Sequence, residues 1–124
     1  IGVEAAADAL RAALALLDRT VAARGGKQSP CNVVFTNGRV RLASRRGLPM
    51  SVVRRTTMPE CPVCTAESEA LGRRQPVGHE HLRSALLLSR TDAPTGNGWE
   101  TIPEDSLVLV DRDLGIRVAP LRAP

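Results

Sequence analysis

Between residues 31 and 44 the chain reads Cys-Asn-Val-Val-Phe-Thr, then Asn37-Gly38, then Arg-Val-Arg-Leu-Ala-Ser. Asn-Gly between two apolar-rich runs is the strongest short-range signal for a β-hairpin. A type I′ turn needs positive φ at both central residues, and these two residues tolerate it. The expectation is a hairpin over 31–45. Val40 and Leu42 alternate with Arg39 and Arg41, which predicts one buried face and one that is wet or covered by polar contacts. A half-buried antiparallel sheet needs a partner for its apolar face, and the preceding segment offers one. Val3, Ala7, Leu10, Leu14, Leu17 and Val21 recur at alternating steps of four and three residues. That spacing puts them on one side of a helix over residues 3–24. Glu4 and Asp8 near its start and Arg24 at its end complement the helix dipole, and Gly25-Gly26 supplies the stop.

Further along, Leu86-Leu87-Leu88 marks a strand over 82–90, and Thr91–Gly98 is a polar connector. Leu107-Val-Leu-Val110 and Ile116-Arg-Val-Ala119 flank the turn at Asp111–Gly115, which predicts a closing hairpin over 106–121. Residues 46–81 differ: Gly47, Pro49, Pro59, Pro62, Pro76 and Gly78 interrupt any period, so they read as one long loop. A loop of that length inside a compact domain is functional or tied down by something. The whole, residues 1–124, reads as a single α+β domain or half-domain with mostly antiparallel strands.

Composition narrows the function classes. Hydrophobic residues make up 43% of the chain, but aromatics only 2%, namely Phe35 and Trp99. A core of Leu, Val, Ile and Ala has few large anchors, which points to a core shared with another chain. The net charge of +4 comes almost entirely from arginine, Lys27 being the sole lysine. Such usage beside abundant Ala fits a GC-rich bacterial genome. The arginines fall in separated pairs (Arg45-Arg46, Arg54-Arg55, Arg73-Arg74) without aromatic interleaving, which argues against a nucleic-acid partner. No apolar run approaches the ~18 residues of a membrane span, and residues 5–17 do not form a signal-peptide core. Three cysteines, Cys31, Cys61 and Cys64, are too few and odd in number for a secreted disulfide framework, so the expected location is cytoplasmic.

The long loop carries the one motif with chemistry in it. Cys61-Pro-Val-Cys64 is followed, after fourteen intervening residues, by His79-Glu-His81. Two thiolates at this spacing can hold one edge of a tetrahedral zinc, and two imidazoles can complete it. A His-x-His pair in an extended segment projects both rings to one face. The candidate ligands are therefore Cys61, Cys64, His79 and His81, with zinc in a structural role that would organise the loop. Two other readings stand beside it: free thiols in an ordinary turn with surface histidines, and a redox dithiol. Glu80 would act as a general base only at a catalytic metal, and four filled ligands leave no open position. Glu104, Asp105, Asp111 and Asp113 sit at expected turns, where acids cap or are solvated. Asn32, among apolar strand neighbours, reads either as a hydrogen-bonding post beneath a site or as a satisfied core amide.

Trp99, Ile102-Pro103 and Leu107-Val-Leu-Val-Asp111 follow one another in an order that resembles the closing hairpin of class-II glutamine amidotransferase-like proteins, which are N-terminal-nucleophile hydrolases. Ser29-Pro30-Cys31-Asn32-Val33 and Asn37-Gly38 resemble the hairpin that follows a helix in the same family. The resemblance covers about residues 5–44 and 82–121. It implies half of a four-layer αββα sandwich, and an activity, hydrolysis of glutamine or γ-glutamyl amides, that depends on an N-terminal cysteine. This chain begins at Ile1, and none of the family's nucleophile, oxyanion-donor or substrate-carboxylate positions can be matched to it. Ser89-Arg90-Thr91-Asp92-Ala93-Pro94 also departs from the family's "Ser-Glu-Pro-Leu". The resemblance thus implies the C-terminal segment of an amidohydrolase, inactive alone, with no catalytic or cofactor-binding residue of its own. Its partner would be a front-half chain carrying the cysteine, or further copies of itself. Zinc is not part of that family's chemistry. The alternative expectation is a small zinc-stabilised binding or interaction module without catalytic activity.

Overall fold

In the computed structural model, which describes residues 1–122, the helical period becomes α1 (Val3–Ala23). Six further elements build the body of the fold: strands β1 (Val33–Thr36), β2 (Arg41–Arg45), β3 (Met50–Arg55), then β4 (Ser84–Ser89), β5 (Glu100–Thr101) and β6 (Ser106–Val110). Strand β7 (Ile116–Pro120) closes the chain, and a second helix, α2 (Pro62–Ala70), lies between β3 and β4. All strand pairs are antiparallel. They form a four-stranded sheet in the order β1-β2-β6-β7 and a three-stranded sheet in the order β4-β3-β5.

The α+β class follows from how these layers stack. On one face of the first sheet, Leu42, Leu107 and Leu109 pack with Ala6, Ala7 and Leu14 of α1 and with Leu121. On its other face, Ala43, Val108 and Val110 pack with Met50 and Val52 of β3 and with Ile102. Successive residues of a strand point to opposite faces, so β6 gives Leu107 and Leu109 to the helix and Val108 and Val110 to the second sheet. All five of its residues are buried. The result is a helix–sheet–sheet stack with two apolar layers.

Several expectations shift on contact with this architecture. Residues 46–81 are not one loop: they contain β3 and α2. The Met-Ser-Val-Val stretch of β3 lies directly after Pro49 and before an Arg pair. It is a strand because β4 and β5 flank it on both sides and the first sheet covers its inner face. The Asn37-Gly38 hairpin forms, but not through a type I′ turn. Thr36 pairs with Arg41, leaving a four-residue loop in which only Gly38 has positive φ, at 86°. The Asn37 side-chain oxygen accepts the amides of Arg39 and Val40, both at 3.0 Å. An Asx-type turn has replaced the backbone solution.

β2 is covered on both faces, by α1 and by the second sheet, while β1 at the sheet edge is exposed throughout. Helix α1 packs chiefly on β2 and β6. A helix of this length runs about 31 Å, against about 17 Å for a five-residue strand. Its last turns therefore extend past the sheet, which is why Leu17, expected in the core, remains 44% exposed.

The two sheets are also tied by polar contacts. Asn32 donates to the Leu48 carbonyl at 2.9 Å and to Ser89 Oγ at 2.7 Å, and accepts the Arg46 amide at 2.9 Å. It is a satisfied amide linking the β1 entry to the turn before β3 and the end of β4. That turn depends on Gly47, whose φ is 111° and where a Cβ would lie 2.5 Å from Pro30 Cβ. The outward face of the second sheet carries Leu86 and Leu88, 41% and 37% exposed. Among the described residues no helix is long and apolar enough to cross a membrane.

The doubly covered strand should dominate stability. Leu107→Ala is expected to cost about 2–5 kcal/mol, as for a fully buried leucine. Leu86→Ala on the open face should cost less than about 1 kcal/mol. Urea denaturation of the two variants checks the ordering.

Candidate metal centre

The chain leaves β3 at Arg55 and returns at β4 with Ser84, and the excursion between them is closed by its own backbone. Met58 and His79 form an isolated antiparallel bridge, with N–H···O distances of 2.9 and 2.7 Å, and the Cys61 amide donates to the Val77 carbonyl at 2.7 Å. The two arms approach so closely that a Cβ on residue 78 would sit 2.5 Å from the Pro59 carbonyl oxygen. Only glycine fits there. The Val77 amide donates to Thr65 Oγ1 at 3.0 Å, which fastens the second arm to α2.

Cys61 is the N-cap of α2, in extended conformation, and Pro62 occupies the first helical position. Proline suits that place because its φ is already helical and its missing N–H would have had no partner. Cys64 then lies within the first turn, and His79 arrives from the bridged arm. One ligand atom from each of Cys61, Cys64 and His79 lies within 4.8 Å of the others. Cys64 Sγ is 3.4 Å from His79 Nε2. Zinc with Zn–S near 2.3 Å and Zn–N near 2.0–2.1 Å at a tetrahedral angle would set that edge at about 3.6 Å. The three residues fit a metal ion.

His81 is not in this group. The expectation that His79 and His81 face one way needs an extended backbone, and the chain instead turns at Glu80-His81, leaving both exposed. The other acids do structural work. Asp111 Oδ1 accepts the amides of Asp113 and Gly115 at 2.9 and 2.8 Å, and Glu104 Oε1 accepts the Gly47 amide at 2.6 Å.

Electrostatics divides the two thiols. No side-chain cap hydrogen bond closes at Cys61. Even so, the amide of Cys64, then the His79 side chain, favour its thiolate and hold its pKa down to about 7. Cys64 is pushed up, chiefly by its hydrogen bond to the Cys61 sulfur and then by burial. A sulfur at a helix N-terminus is stabilised as an anion by the amides that face it. Deprotonated sulfur is the form that binds a metal, so the pair is half-prepared for one at neutral pH. All three cysteines are free thiols.

No protein-family model matches this chain, and a search of curated proteins finds no match either. The metal centre therefore rests on its own geometry.

Sequence reasoning found the Cys-x-x-Cys and His79 but missed the supports, Met58, Thr65 and Gly78. Gly78 carried a signal, a glycine beside a proline-rich arm, whose meaning depends on which backbone passes it.

In metal-free protein, iodoacetamide should alkylate Cys61 before Cys64. The Cys61 rate should rise with pH around a midpoint of about 7, because the thiolate is the nucleophile, and level off above it. Residue-resolved mass spectrometry across pH 5.5–9 checks this order. Equal rates for the two cysteines would contradict it.

Proposed function

We propose that this chain is a small zinc-stabilised binding module, in which a structural metal held by Cys61, Cys64 and His79 fixes the excursion between β3 and β4. The observation that carries the reading is the poverty of α2 as a folding unit. It is nine residues long, and Ser68 is its one buried residue. A helix this short is marginal in water, and helices in proteins draw most of their stability from a packed apolar face. With no such face, α2 needs another anchor, and three convergent metal ligands at its N-terminus provide one. His81 lies exposed two residues beyond His79 and is the assigned fourth ligand, drawn in when the metal binds. A set of four protein ligands leaves no open position, so the metal is structural and not catalytic.

The anchored excursion presents Val63 and Leu71, 66% and 75% exposed, on a rigid surface. Fixing exposed apolar side chains on a preorganised support lowers the entropy lost when a partner docks. The module acts through that surface.

A second reading has its own support. The helix–sheet–sheet order and the open outer face with Leu86 and Leu88 suit the C-terminal segment of a class-II glutamine amidotransferase-like amidohydrolase. Its nucleophile would come from a companion chain beginning with cysteine. Glutaminase activity in the purified chain alone would end that reading.

Freshly purified protein should carry one zinc per chain, and cobalt substitution should give thiolate-to-cobalt charge-transfer absorption. Cys61→Ser, Cys64→Ser and His79→Ala should each weaken metal binding by at least about tenfold, and His81→Ala by a similar factor. An unchanged affinity in His81→Ala would remove the fourth-ligand assignment and leave the other three. Chelation should speed tryptic cleavage at Arg73-Arg74 by about tenfold or more while the β6 core stays intact. If cleavage is indifferent to metal, α2 is not held by it and the proposal fails.

A further inference from the structure

Both sulfur ligands of the metal centre sit on one arm of the excursion, and the imidazole comes from the other. Cys61 caps α2, and Cys64 lies in its first turn, which the Thr65 amide closes by donating to the Cys61 carbonyl at 2.9 Å. His79 belongs to the returning arm, joined to the first by the Met58–His79 bridge and by the hydrogen bond from Cys61 to Val77. A metal held by all three residues is therefore a link between the arms. A bond between the two sulfurs would be nothing of the kind, because it would close only the first turn of α2 on itself.

The two thiols have the placement that such a bond needs. One helical turn sets the Cα atoms of residues three apart at about 5 Å, inside the range of roughly 4.4–6.8 Å found across disulfides. The sulfurs lie within 4.8 Å of one another, and both thiols are free and only half-buried, open to a small oxidant. Cys31, the third thiol, is outside this group and packs against the α1 cluster instead. Cys61 and Cys64 are thus each other's thiol partner.

We propose that this pair is a redox switch on the metal: a hydroperoxide oxidises Cys61 and Cys64 to a disulfide, the metal leaves, and the surface carrying Val63 and Leu71 loses its support. The inference rests on the structural-metal reading and adds its regulation. One thiolate attacks a peroxide oxygen, so an S–O bond forms, the O–O bond breaks and hydroxide leaves. The second thiolate attacks the sulfur of that sulfenic acid, so the S–S bond forms, the S–O bond breaks and a second hydroxide leaves. Each hydroxide takes a proton from solvent. The sulfurs have given up two electrons, and hydrogen peroxide has become two waters. The thiolate is the metal-binding form of cysteine, so the metal loses both sulfur ligands in one event and keeps imidazole alone. Helix α2, with Ser68 its one buried residue, is then held to the returning arm only by the hydrogen bonds of Cys61 and Thr65 with Val77.

The test uses the full, reduced, zinc-loaded chain, with bound zinc measured before and after hydrogen peroxide is added. Peroxide should release the zinc and leave the tryptic peptide over residues 56–73, which holds both Cys61 and Cys64, lighter by two hydrogens while Cys31 stays reduced. Cleavage of the folded chain at Arg73-Arg74 should accelerate about tenfold or more, to the rate of the chelated chain, because local opening exposes that site. Dithiothreitol with added zinc should restore both the zinc content and the resistance. Cys31→Ser should respond as the unaltered chain does. Zinc that stays bound after peroxide, with Cys61 and Cys64 still reduced, would overturn the switch and leave the metal reading standing. A chain that carries no zinc before peroxide sinks both. Zinc loss without the Cys61–Cys64 bond would also overturn the switch, as would an oxidised, zinc-free chain that resists trypsin as well as the loaded one.

Discussion

Strand β6 is the constraint on which the rest of this structure depends. Its five residues are all buried because each face of the strand serves a different apolar layer. One layer lies against α1 and the other against the second sheet, so neither can be assembled without it. Its neighbours β2 and β7 pair along its full length, which lets a strand from the C-terminal end sit beside one from the N-terminal hairpin. The layers need no large aromatic anchor. Leu faces the helix and Val faces the second sheet, and branched aliphatic side chains interdigitate closely at these spacings. The scarcity of aromatics is therefore compatible with layers filled by the chain itself. Exposed apolar positions lie outside these two layers, among them edge strand β1 and the outward face carrying Leu86 and Leu88.

How much of this was legible follows from how local each signal is. α1 and the closing hairpin could be read because their periods are long and uninterrupted, and both lie within a residue or two of expectation. β3 was not legible. Its apolar residues occupy only a few positions between Pro49 and an arginine pair, and what makes it a strand is two neighbours far away in sequence. α2 was hidden for the opposite reason, since it has almost no buried face to create a period. At Asn37-Gly38 the hairpin was evident but the turn was not, because a side-chain oxygen competes with backbone geometry for the same amides. The same holds at the metal site. The Cys-x-x-Cys spacing implies two sulfurs near each other whatever the fold, whereas His81 depended on the backbone staying extended for two more residues, and it does not.

Two organising principles coexist in one small chain. The layered body is held by apolar burial, which is non-directional and roughly proportional to area. The excursion from residues 56 to 83 has little apolar burial and is arranged by directional contacts: a two-residue bridge, a glycine that lets two backbones touch, and sulfur and imidazole atoms brought to metal-binding distance. Such a division explains why the excursion can be inserted between β3 and β4 without disturbing their pairing. It also explains why the perturbed thiols occur there. Cys61 is partly open to solvent and sits where helix amides converge, while an apolar core would have raised both sulfurs alike.

Polar residues at the junctions complete the argument. Asn32 and Arg46 are adjacent through the hydrogen bond between the Asn32 side chain and the Arg46 amide, and together they reach α1, the entry to β1, the turn before β3 and the end of β4. Burying an arginine this deeply is unfavourable unless its donors are met. Three of its contacts serve the fold: the main-chain amide, Nε and Nη1. The fourth group, Nη2, serves nothing in the fold, although the same guanidinium is otherwise fully committed. The cost of that orphaned donor is offset by the three contacts through which Arg46 joins α1, the segment before β1 and Asn32.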